Sequence, residues 1–126
     1  MDFEQALVHE LSSITALNGK VFPLSAKEGT NPPFVLYVSS EGKKIQTLEG
    51  YEESKEVGAT IHIVAQTYED LKNLVKQVVD KLASFFGRAI GIGGPLVKSY
   101  EYNEPSEDFN EELDYHSSSI DIKVTL

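Results

Sequence analysis

The chain contains no cysteine. That excludes a disulfide scaffold, a cysteine-ligated zinc site and thiol chemistry together, and it fits folding in a reducing compartment. Long apolar runs are also missing: none approaches the ~20 residues that a membrane-spanning helix requires. The opening MDFEQALVHE is acidic and lacks the basic, apolar, small-residue order of a secretory signal. The expectation is a soluble protein made in the cytosol, with no membrane contact. Positive charge is scarce, with 11 Lys and Arg against 20 Asp and Glu, net −9. Such a balance gives no basic footprint for gripping nucleic acid, though it is compatible with a surface past which nucleic acid slides.

What is present reads as one ordinary globular domain spanning 1–126. Asp2 and Gln5 form a capping-box pattern, and Phe3, Ala6, Leu7, Leu11, Ile14 and Leu17 follow at helical spacing up to Asn18-Gly19. Pro32-Pro33 forces extended geometry before FVLYV (34–38), whose two apolar faces predict a central strand. VGATIHIVAQ (57–66) alternates as a half-buried strand. Thr67 predicts the cap of a second helix whose stripe runs from Leu71 through Phe85 and Phe86 to a stop at Gly87. LVKSYEY (96–102) predicts a third strand and 115–126 a fourth. The order α-β-β-α-β-β implies an α+β fold: about four mainly antiparallel strands with two helices packed on one face.

Candidate chemistry is sparse. His9, His62 and His116 lack partners at familiar ligand spacings, although His62 and His116 could meet across strands. Gly91-Ile92-Gly93-Gly94 follows a helix and precedes a strand, the reverse of a phosphate loop, and predicts a turn. Asp108, Asn110, Glu112 and Asp114 alternate like a calcium loop, but Leu113 and Ser119 stand where the EF-hand needs Gly and Glu. No serine sits in a nucleophile elbow. The sequence therefore predicts no enzyme, no catalytic residue, no cofactor and no metal site.

Two polar stretches remain. Glu41 to Gly58 carries eight charged residues, and Glu101 to Asp114 holds seven acids with no Lys or Arg. Both read as long hairpin loops, at 41–58 and 103–114. Extensions of that length on a small core serve an oligomer better than a monomer, because they reach neighbouring subunits. Lys43, Ile45, Leu48 and Tyr51 are the candidate subunit-interface residues. Glu107, Asp108, Glu111 and Glu112 are the candidate acidic surface residues.

In order along nearly the whole chain, several pieces resemble the tail-terminator, or tail-completion, proteins of long-tailed bacteriophages and their prophages. They are the first helix ending in ALNGKVFPL, the passage NPPFVLYV, the long charged loop, VGATIHIVAQTYEDLKNLVKQVVDKL, and the closing SSSIDIKVTL. The resemblance implies a non-enzymatic hexameric ring at the head-proximal end of the virion tail, assembled in the host cytoplasm. Such a ring ends tail-tube polymerisation and docks a head connector or completion protein. It also implies an assembly role for 41–58 and a lumen through which DNA passes without specific binding, whose non-adhesive wall Glu107, Asp108, Glu111 and Glu112 would suit. The competing expectations are a small, dimeric, non-catalytic ligand-binding or regulatory domain, and a small enzyme using a carboxylate or His62.

Overall fold

The computed structural model describes residues 2–23, 31–40, 43–47, 50–112 and 114–126; for 43–47 and 50–54 the description is of backbone alone. The first helix, α1 (Phe3–Ser12), begins as its sequence dictates. The Asp2 carboxylate accepts from the Gln5 N–H at 2.7 Å, and the Gln5 side chain accepts from the Asp2 N–H at 3.1 Å. The helix ends earlier than its apolar stripe. Ser13 donates its hydroxyl to the Glu10 carbonyl at 2.6 Å, the local competition by which serine unravels helical turns. A 3-10 turn, Thr15–Leu17, then carries Leu17 into the core, and Gly19 takes the left-handed conformation at φ +72°.

The second helix, α2 (Tyr68–Ala83), is capped by Thr67, whose hydroxyl accepts from the Asp70 N–H at 3.1 Å. It buries Leu71, Leu74, Val78 and Leu82. Phe85 is buried beyond its end, but Phe86 is 63% exposed. The expected stripe overran, because Ser84 turns its hydroxyl back onto the Lys81 carbonyl and ends the helix before Phe86 can follow the register.

Seven strands form one sheet among the described residues, against about four expected. They are β1 (Val21–Pro23), β2 (Phe34–Ser39), β3 (Lys43–Thr47), β4 (Gly50–Ala65), β5 (Ser99–Tyr102), β6 (Ser106–Asn110) and β7 (Tyr115–Thr125). The order is β1-β2-β4-β7-β5, with β3 on β4 and β6 on β7. Only β1–β2 is parallel; the other pairs are antiparallel. The third expected strand shortens to β5, because Leu96 forms an isolated bridge to Ala89 and Val97 bonds back to Arg88 across the glycine turn.

Strands occupy described residues of both polar stretches: β3 and the start of β4 in 41–58, and β6 in 103–114. β3 pairs with the first part of β4 and follows β2 on the same side of it, with a register shift between Lys44 and Gln46. β6 continues β5 along β7: Tyr102 faces Ile122 but Ser106 faces Ser119, so the outer strand carries one extra residue, a bulge at 103–105.

The core lies between the helices and one face of the sheet. Ile61, Ile63 and Ala65 of β4 and Ile120, Ile122 and Val124 of β7 meet Leu7, Leu11, Leu71, Leu74, Val78 and Leu82 in a single apolar cluster. Gly94 lies against this layer. A Cβ there would overlap the Ile90 carbonyl oxygen and press on the Ala6 methyl, whereas a Cβ on Gly58 would meet only the Ile122 carbonyl at 3.9 Å. Gly94→Ala is therefore expected to destabilise by about 2 kcal/mol or more, with Gly58→Ala within about 1 kcal/mol of the parent. Urea unfolding of the two variants checks this.

Candidate functional site

The histidines lie apart. His62 pairs with Ser119 on the open face of the sheet and bonds to its hydroxyl at 2.6 Å. His116 pairs with Ala65, three positions along the ladder and on the helix side, where Phe109 and Tyr68 pack against its ring at 4.6 and 6.0 Å. Opposite faces of one sheet separate them, so the imagined cross-strand histidine pair does not form. Among the described residues, no three His, Asp or Glu side chains converge as metal ligands would.

The glycine turn has a different use. The Gly91 N–H donates to the Glu10 carboxylate at 2.9 Å, and Arg88 grips the same carboxylate with both terminal nitrogens, at 2.7 and 3.0 Å. The Arg88 Nε donates to the Ser84 carbonyl at 2.8 Å. Glu10 is 8% exposed. The Arg88 hydrogen bonds and charge, with the Gly91 amide, outweigh the cost of burial and hold its pKa at about 2, against an ordinary 4.5. This bidentate clip ties α1 to the end of α2 and the turn after it. Sequence reasoning missed it, although a signal was there: Glu10 interrupts the apolar stripe of the first helix, and Arg88 is the sole arginine of the chain.

The interface candidates fall on the β3–β4 ribbon. The β4–β7 ladder ends at Glu56 opposite Thr125, with Lys55 and Leu126 exchanging backbone hydrogen bonds at 2.8 and 3.2 Å. Beyond that point, β4 residues 50–54 have β3 as their strand partner and no other among the described residues. Lys43 opens β3, Ile45 stands at its register shift and Tyr51 pairs with Gln46. Leu48 lies outside the described residues. At the ribbon's base, Asp2, Phe3, Glu4, Ser39, Ser40, Lys55, Val57, Pro95 and Leu126 line a cleft of about 310 Å³.

The acidic candidates do not form one array. Glu107 pairs with Ser118, a core-side position, and leans on α2 through an ion pair with Lys72. Asp108 alternates to the open side and accepts from the Phe109 N–H at 2.8 Å. Glu111 and Glu112 are exposed in the turn between β6 and β7.

No family model matches the chain, and no curated protein matches it. Among solved structures, a chain from the virion of a native gene transfer agent particle superposes with a TM-score of 0.70, across 98% of this chain and 92% of that one, at 9% identity. The two chains share a fold. A second solved chain, 17% identical, reaches a TM-score of only 0.47, too loose to establish common architecture. The likeness to the virion chain extends over nearly the whole of both proteins, so the edge strands lie within the shared span.

The clip has a pH signature. Because Glu10 ionises more readily folded than unfolded, its contribution is complete above about pH 4.5 and drains away as pH falls toward about 2. At neutral pH, Glu10→Gln is expected to cost about 1.5–3 kcal/mol, nearer the lower figure because Arg88 is partly in water. The variant should also lose the part of the acid destabilisation between pH 4.5 and 2 that belongs to this group. Urea midpoints recorded from pH 2 to 7 test both.

Proposed function

We propose that this chain is a non-catalytic structural subunit of a phage-like tail, a terminator that assembles as a hexameric ring on the head-proximal end of the tail tube. In this reading it ends tube polymerisation, presents a docking face to the head connector, and leaves a lumen that DNA crosses without specific binding. The observation that carries the reading is the overhanging β3–β4 ribbon. Two strands alone are marginal in water, and ribbons become stable when a third strand or a packed layer joins them. A neighbouring subunit supplies that layer in a ring. A fold shared with a virion chain supports the same reading.

Other features agree with it. Among the described residues, His62 bonds to Ser119, His116 packs between aromatic rings and Glu10 is held by Arg88, so each of the three is taken up in a structural contact. The net charge of −9 suits a wall that does not hold DNA.

Among the described residues, 50–54 of β4 pair with β3 alone, whereas β4 side chains between Val57 and Ala65 join the buried cluster, so the ribbon is separable from the rest of the sheet. Replacing 43–54 with an Asn-Gly turn is therefore expected to leave a cooperatively folding domain that no longer self-associates. Sedimentation velocity of the shortened and full chains, alongside their thermal melts, reads this directly. A shortened chain that still forms the parent's oligomer would remove the ribbon from assembly.

A further inference from the structure

We propose that the β3 edge of one copy pairs with the β6 edge of the next, so that one β-sheet runs from subunit to subunit; this deepens the ring reading above and rests on it. Both strands are outermost. β6 has β7 as its strand partner and β3 has β4, with no second strand beside either among the described residues. An outermost strand presents backbone donors and acceptors that another chain can take up. The two strands match in length, five residues each.

Charge selects the pairing. β3 reads KKIQT, with two lysines and no acid; β6 reads SEDFN, with two acids and no base. A seam between two β3 edges would gather four lysines and no acid, and one between two β6 edges four acids and no base, both unfavourable. The strands run in opposite directions in the sheet, so the mixed pairing is antiparallel, and the register with Lys43 opposite Asp108 and Lys44 opposite Glu107 sets both lysines against acids. The edges lie on opposite sides of the same sheet, so the contact is head to tail and its repetition either closes a ring or extends a filament. They also sit at opposite ends of the β4–β7 ladder: Asp108 lies level with Ser117 and Val64, whereas Lys43 to Thr47 lie level with 50–56. Successive copies are thereby staggered along the strands, the shear that a sheet needs in order to close.

The test exchanges the charges in the full-length chain. One variant carries Lys43→Glu with Lys44→Glu, so both edges are acidic; the other carries Glu107→Lys with Asp108→Lys, so both are basic. Light scattering is expected to show each variant alone as a monomer, under conditions where the parent associates. Their equimolar mixture should recover the parent's mass with the two variants alternating. That recovery also demonstrates that both variants fold. Should Lys43→Glu with Lys44→Glu lose its circular dichroism, the neutral pair Lys43→Gln and Lys44→Gln replaces it, with partial loss of the oligomer expected. Variants that each assemble like the parent would overturn the edge pairing while leaving the ring standing. A parent chain that stays monomeric at every concentration would overturn the ring, and the pairing with it.

Discussion

The antiparallel ladder between β4 and β7, ten register pairs from Glu56–Thr125 to Ala65–His116, is the element from which everything else hangs. Its strict alternation sends Ile61, Ile63, Ile120, Ile122 and Val124 to one side, where both helices cover them. It sends Thr60, His62, Ser119, Asp121 and Lys123 to the other, where short polar contacts such as Thr60 to Asp121 at 2.8 Å tie the strands. A slip of one residue would exchange the two sets. The same ladder fixes the edges. β2 and β3 line one flank of β4, and β5 and β6 line the far flank of β7, so the outer strands keep their places only while the central pair keeps its register.

β4 is longer than its ladder. Its 16 residues outrun β7 by the stretch 50–55, about 20 Å of additional strand. This overhang is two-stranded among the described residues, with β3 as its strand partner. A monomer gains little from it. The Glu10–Arg88 clip, at the other layer of the molecule, restrains α1 against the end of α2, so the helical layer is held independently of the ribbon.

The buried half of the fold was legible in the sequence, because its physics is local and periodic. The caps at Asp2 and Thr67, the alternation of 57–66 and 115–126, and the left-handed glycines at 19 and 87 all sit where residue type requires them. The edges were not legible. VFP is too short to show a period, KKIQT carries a single apolar residue, and SEDFN carries a single apolar residue on an acidic background. Their strand geometry comes from pairing with β2, β4 and β7, a tertiary effect that outweighs their weak intrinsic preference. The clip was missed for a related reason: Glu10 and Arg88 are 78 residues apart and meet only once the helices pack. Glu107, one of the acidic surface candidates, forms an ion pair with Lys72 of the second helix, a contact 35 residues away in sequence that no local pattern announces.

The central claim of the proposal is that this protein works as a closed ring of copies. Native mass spectrometry of the full-length chain, across a range of protein concentrations, tests that claim most directly. A closed species at six times the 13.9 kDa chain mass is expected, growing at the expense of monomer as concentration rises. A monomer that persists throughout, or a dimer that never grows, would contradict it.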